Sequence, residues 1–232
     1  MFDVRLAELN IRIDNKYPYI EKMCRDYIIS GEECDFSVSA TKEEMEREAN
    51  EECNALPYLE TLAVYRKIAE KLLEYNGFLL HGVVLETAGQ GIAFCARSGT
   101  GKSTHVFLWK KLLGDKCEII NGDKPLVRII DGEVYAYGTP WCGKEGIQKN
   151  AKTLLRSLCF IERGKENKLT KLPQNEVFPR LMTQIYMPKD NGAKMLKTLE
   201  MADVFVKNTT SFVMKCNMDI SAAEVAYKGI VK

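Results

Sequence analysis

Residues Phe94 to His105 read FCARSGTGKSTH: an apolar approach, glycines at 99 and 101, a lysine at 102 and hydroxyls at 103 and 104. In the phosphate-binding pattern G-x-x-x-x-G-K-[ST], backbone N–H groups point into one concavity, the lysine reaches the β- and γ-phosphates, and the hydroxyl holds magnesium. Gly101, Lys102 and Ser103 fit that pattern, while Ala96 stands where its first glycine belongs. A strand-to-helix turn can carry such a string by chance. Two glycines within three residues weigh against chance, because glycine costs stability unless the backbone takes positive φ or approaches a ligand. The residues expected to cradle phosphate are Ser98, Gly99, Thr100, Gly101, Lys102, Ser103 and Thr104.

Element lengths decide which other groups can reach that loop. A helix over 103–114 runs about 18 Å away at 1.5 Å per residue, and a strand over 118–122 returns about 17 Å at 3.3 Å per residue. Asp123 is therefore delivered to the edge of the loop, where a carboxylate can hold magnesium or accept a hydroxyl proton. The bland alternative is that Asp123 merely flanks the tight-turn dipeptide Asn121-Gly122. His81, one of two histidines, lies in the apolar run FLLHGVVL and reads either as a satisfied strand residue or as a catalytic group. His105 reads equally as a surface residue. The loop GTPWCGKEG, 138–146, carries three glycines; there Lys144, with Gly143, suits a second anionic contact and Trp141 a flat ligand surface. Lys124 and Arg128 could add positive charge.

The elements that must position these groups follow from hydrophobic period and turn chemistry. Apolar strands are expected over 78–85 and 91–96, the second leading into the loop, with a helix over 104–113 after it. Asp131-Gly132 between alternating runs predicts an antiparallel hairpin of 126–130 with 133–137, which excludes a fully parallel sheet. Further on, strands are expected over 156–161 and 212–215, and helices over 175–186 and 193–202. A last helix should open on the capping box Ser221 to Glu224. Before residue 77 the chain reads as α+β, with strand-like stretches over 4–13 and 35–39 and a short helix over 19–27. The box Thr41/Glu44 opens a charged helix over 42–53, and an amphipathic helix over 58–75 is expected on the sheet that follows.

Composition narrows the classes. The 232 residues carry a formal charge of +1, so no electrostatic footprint for nucleic acid or a membrane surface is present. The first residues lack the order of a signal peptide and no apolar run is long enough to span a bilayer, which implies a cytoplasmic protein. Eight cysteines are scattered with no C-x-x-C pair and read as reduced, mostly buried thiols, Cys142 in its polar loop being the exception. A homo-oligomer is left open.

Taken in order, HGVVL, GQGIAFCARSGTGKST and the strand ending in NGDKP resemble the carboxy-terminal catalytic domain of HPr kinase/phosphorylase, which shares a core with phosphoenolpyruvate carboxykinase. SGTGKST is similar to the carboxykinase form of the loop. The resemblance covers roughly 78–134. It implies a phosphoenolpyruvate carboxykinase/HPr kinase-like core, an α/β fold with a mixed sheet and P-loop over 77–232; the α+β segment 1–76 does not look like the family's amino-terminal domain and is expected to form an appendage packed on that core. It also implies ATP and magnesium as cofactors, Lys102 on the β- and γ-phosphates, Ser103 on magnesium and His81 beside the reacting phosphate, with Asp123 left as either magnesium ligand or base. The family's paired aspartates appear here as Gly122-Asp123, and its later signature loop is not found. The expected function is therefore a kinase acting on a hydroxyl, that of a small molecule before that of a protein serine, with a non-catalytic nucleotide-binding factor as the alternative.

Overall fold

Apolar and polar residues alternate in FDVRL and LNIRID, which buries Val4, Leu6, Leu9, Ile11 and Ile13 on one face of a sheet. In a computed structural model describing residues 1–51 and 53–232, the chain divides into two units, Met1–Tyr75 and Asn76–Lys232. The first unit has a four-stranded sheet of β1 (Phe2–Leu6), β2 (Leu9–Asp14), β3 (Ile28–Ile29) and β4 (Phe36–Ser39) in the order β3-β1-β2-β4. The continuous strand expected over 4–13 is a hairpin instead. Ala7 and Glu8 turn it at φ 50° and 63° without the glycine or asparagine that would have marked the turn.

Among the described residues this unit also has the α-helices α1 (Pro18–Met23), α2 (Lys42–Glu46) and α3 (Leu56–Leu72). The Thr41/Glu44 capping box forms with both of its hydrogen bonds, but α2 ends at Glu46, not at residue 53; Glu52 lies outside the described residues. A cap fixes where a helix starts and says nothing of its length. α3 packs on α1, α2 and β4 within its own unit. Its fully buried Glu60 accepts hydrogen bonds from the backbone N–H of Lys16 and Tyr17, so the buried carboxylate is satisfied.

The second unit holds β5 (Gly77–Leu79), β6 (Val83–Thr87), β7 (Gln90–Cys95), α4 (Lys102–Leu113), β8 (Cys117–Asn121), β9 (Leu126–Ile130) and β10 (Glu133–Tyr137). They are followed by β11 (Lys152–Arg163), β12 (Lys168–Lys171), α5 (Gln174–Met182), α6 (Gly192–Asn208), β13 (Thr210–Cys216) and α7 (Ile220–Ile230). The sheet is mixed and runs β5-β9-β10-β11-β7-β6-β8, with β13 joined to β11 and β12 to β13. The Asp131-Gly132 hairpin forms as expected. β11 spans both halves: its start pairs antiparallel with β10, its remainder parallel with β7 and β13. The last helix is capped by Asp219, two residues before the expected Ser221, through bonds from the N–H and hydroxyl of Ser221.

One departure matters for function. The run FLLHGVVL is not one strand: Leu80 to Gly82 leave the ladder between β5 and β6, with Leu80 N–H bonded to Pro125 O, His81 N–H to Gln184 O and Gly82 N–H to Asp123 O. His81 thus sits in a break at the sheet edge, where an apolar pattern alone gave no sign of it.

α4 and α7 cover one face of the sheet over a core that includes Phe94, Trp109, Cys159, Met214 and Ala223. His105 belongs to this core, not to the surface. It is 2% exposed, accepts a hydrogen bond from Trp109 Nε1 at 3.1 Å and stacks edge-on with Phe94. Burial pulls its pKa down to about 4. The folded protein therefore resists a proton that the unfolded chain accepts near pH 6.5, so this histidine's stabilising effect is complete above pH 6.5 and is lost as pH falls toward 4. We predict a loss of about 3 kcal/mol across that window by urea denaturation, at 1.36 kcal/mol per pKa unit. In His105→Gln the same window should be nearly flat; an equally steep variant would place the acid sensitivity elsewhere.

Candidate functional site

The sheet order brings three separated stretches to one edge. β6 lies between β7 and β8 and runs antiparallel to both, so the entry into β6 and the exits from β7 and β8 fall on the same side. His81 precedes β6, the loop Ser98 to Gly101 follows β7 and Asp123 follows β8. β11 is parallel to β7 and ends there too; its Arg163 donates to the carbonyls of Gly99 at 2.6 Å and Thr100 at 3.5 Å.

Gly99 and Gly101 adopt φ of +74° and +117°, conformations that side-chain-bearing residues rarely take, and α4 then begins without a side-chain cap. A helix N-terminus open in this way presents backbone donors suited to an anion. Ala96, where the pattern has glycine, is not at positive φ, so its methyl group is tolerated, and its carbonyl accepts from Lys102 Nζ at 3.0 Å. Lys102 is 8% exposed and its Nζ also lies 3.3 Å from His81 Nε2. Burial lowers the Lys102 pKa, against the opposing charges of Asp123, Cys95 and Glu145.

His81 Nε2 stands 3.4 Å from Asp123 Oδ1 as well. A lysine ammonium can only donate and a carboxylate can only accept, so neutral His81 serves one of them at a time through that nitrogen. Drawing Lys102 toward a phosphate leaves His81 to donate to Asp123. Burial raises the Asp123 pKa, but the His81 hydrogen bond and the charges of Lys124, His81 and Lys102 outweigh it, and the carboxyl ends below its usual range.

The turn that carries Asp123 is built by Asn121, which the sequence showed only as half of a tight-turn dipeptide. Asn121 is fully buried; its Oδ1 accepts from the N–H groups of Asp123 at 2.9 Å and Lys124 at 2.7 Å, while its Nδ2 donates to Thr139 O and Oγ1. Thr139 Oγ1 in turn donates to Lys124 O. Asn121 is thus more than half of a tight-turn dipeptide, since it joins the turn after β8 to the loop after β10. Gly122 is set by that same loop: a Cβ there would meet Cys142 O at 2.7 Å and Ile147 O at 3.1 Å, and its N–H bonds to Ile147 O. No side chain fits, so the position taken by an acid in the resembled family is closed by main chain.

The remaining expected residues are placed unevenly. Gly143 lies against Asp123, a Cβ on it meeting Asp123 Cβ at 3.0 Å. Trp141 is 5% exposed and packed inward, which leaves little of its ring for the flat ligand contact read from the sequence. Lys144 and Glu145 are exposed on the turn, Ser98 and Gly99 are exposed in the loop after β7, and Thr104 is exposed in the first turn of α4. Cys142 is buried, and its thiol pKa is raised by burial, so it is not the reactive exception its polar loop suggested. Glu145, also missed, joins Ser103, Gly122, Val83, Phe107 and Ile147 around a shallow cleft. Arg163 and Glu145 gave no sequence signal, because both reach the site through long-range pairing.

Oxygen donors at this edge are the Ser103 hydroxyl and the carboxylates of Asp123 and Glu145. Among the described residues no three His, Cys, Asp or Glu side chains cluster as a metal cage. A few carboxylate and hydroxyl oxygens fit magnesium, which completes its shell with waters and substrate phosphates, better than they fit a caged ion.

No family model and no curated protein matches the chain. Among solved structures it is similar to the HPr(Ser) kinase/phosphatase from Coxiella burnetii, at 6% identity and a TM-score of 0.38, over 65% of this chain and 95% of that one. That is a distant structural relationship in a mixed α/β fold. No helix among the described residues is long and apolar enough to cross a membrane.

Placing an acid at position 122 should damage the protein. Gly122→Asp forces backbone carbonyls apart and is expected to cost about 2 kcal/mol or more in chemical denaturation. A variant as stable as the parent would show that the loop after β10 yields easily.

Proposed function

We propose that this chain is a magnesium-dependent kinase that transfers the γ-phosphoryl group of ATP to a hydroxyl group, most simply that of a small molecule. The observation that carries this reading is the convergence at one sheet edge of an uncapped helix start, a buried Lys102 and the His81–Asp123 pair. The glycine conformations at 99 and 101 add backbone donors to the same concavity. Lys102, now satisfied by Ala96 O and His81, exchanges those partners for β- and γ-phosphate oxygens when nucleotide enters. Arg163 braces the loop through its carbonyls.

Ser103 with carboxylate at this edge would hold magnesium, which supplies charge neutralisation across the β- and γ-phosphates when bound. Asp123 accepts the proton of the acceptor hydroxyl as its oxygen bonds to the γ-phosphorus. The bond from that phosphorus to the bridging oxygen breaks, and its electron pair leaves with ADP. His81 donates to Asp123 and keeps the carboxylate aimed at the hydroxyl. Positioning and charge stabilisation provide most of the rate, since this transfer needs little covalent help from protein.

The closure of position 122 favours a second reading, a nucleotide-binding factor without turnover. Two variants separate the readings. Lys102→Ala should weaken ATP binding by about 2–3 kcal/mol, the scale of a charge-assisted contact, in calorimetric titration. Asp123→Asn should keep ATP affinity within about tenfold while lowering phosphate transfer to a hydroxyl acceptor by about 10² or more. ATP binding that ignores Lys102 would remove the site from this edge. Binding without transfer to any acceptor in metabolite pools or cell extract would leave the nucleotide-binding factor.

A further inference from the structure

We infer that Glu145 is the second acid of this site, holding the divalent cation beside Ser103 and leaving Asp123 to the proton. The inference rests on the kinase reading above. It starts from the two facts that make position 122 unusual: its side-chain space is closed, and what closes it is the segment from Cys142 to Ile147 that carries Glu145. The loop therefore removes one place for a carboxylate and delivers another. Gly122 N–H bonds to Ile147 O at 3.0 Å and Lys149 N–H to Ile120 O at 3.0 Å, while Asn121 and Gln148 form an antiparallel bridge. Those bonds tie the backbone from Ile147 to Lys149 to the end of β8, two residues beyond the exposed Glu145.

Glu145 Oε2 and Asp123 Cγ each lie 3.5 Å from the point where a Cβ on Gly143 would stand. The two carboxyl groups can therefore be no further apart than twice that distance. A side chain at 143 would crowd Asp123 Cβ at 3.0 Å, and Gly143, at φ +80°, carries none. Their partners differ. Asp123 faces His81 Nε2, whereas Glu145 shares its cleft with Ser103 at the start of α4 and acts on the charge of Lys102. The same cleft is otherwise walled by Val83, Val106, Phe107 and Ile119. A carboxylate oxygen and a hydroxyl on that mostly apolar wall match a hard cation that brings its remaining ligands as waters and phosphate oxygens.

The test is calorimetric titration of the full chain with a non-hydrolysable ATP analogue, with chelator and across a magnesium series. Replacing even an outer-shell partner of a bound metal costs about 10–100-fold in metal affinity. Glu145→Gln is therefore expected to raise the magnesium midpoint by about tenfold or more, with metal-free affinity within about twofold. Asp123→Asn should leave the midpoint within about threefold, and Glu145→Asp, keeping the charge on a shorter arm, should recover part of the loss. A midpoint unmoved by Glu145→Gln, or moved further by Asp123→Asn, overturns the assignment while analogue binding by the parent leaves the kinase reading standing. No analogue binding by the parent, with or without magnesium, removes the kinase reading and this inference with it.

Discussion

The antiparallel placement of β6 between β7 and β8 is the constraint on which the candidate site depends. Had β6 run parallel to its neighbours, its entry would lie at the opposite edge and His81 would be a strand length, some 15 Å, from the loop. As folded, one strand entry and two strand exits deliver a histidine, a glycine-rich loop and an aspartate to the same place. β11, parallel to β7, adds Arg163 at that edge. Each group comes from the end of a rigid element rather than from a long loop, which is what precise positioning requires.

The interactions at this edge are partly satisfied among themselves, and that shapes what the site can do. Lys102 is buried and bonded to Ala96 O and His81, so its charge is stored at moderate cost and can be redirected. His81 cannot serve the lysine and Asp123 together through one nitrogen, which makes the arrangement responsive to an anion that draws Lys102 away. Asn121, in contrast, has both of its side-chain groups occupied and no other arrangement to move to. Rigidity thus lies in the turn that aims Asp123, and freedom in the lysine.

Local pattern carried much of this and long-range contact carried the rest. Gly99, Gly101, Lys102 and Ser103 were readable because a loop between strand and helix has its own sequence chemistry, and Asp123 because helix and strand lengths cancel. The Asp131-Gly132 hairpin was readable for the same local reason. The strand break at His81 was not, since its backbone bonds go to residues 123 and 184, far along the chain. Gly122 looked like a lost acid until the carbonyls of Cys142 and Ile147 gave a steric cause. Trp141, read as a flat ligand surface, and His105, read equally as a surface residue, are both buried by contacts that local sequence does not show. Glu145 and Arg163 needed the assembled sheet to be seen at all.

A crystal structure of the full chain with magnesium and a non-hydrolysable ATP analogue tests the central claim most directly, that this sheet edge is a phosphate site with a redeployable lysine. The account predicts β- and γ-phosphates on the backbone N–H groups of 99–103, Lys102 Nζ moved from Ala96 O onto their oxygens, and His81 Nε2 closed on Asp123. Phosphates bound at another edge of the sheet, or Lys102 still bonded to Ala96 O beneath a bound nucleotide, would contradict it.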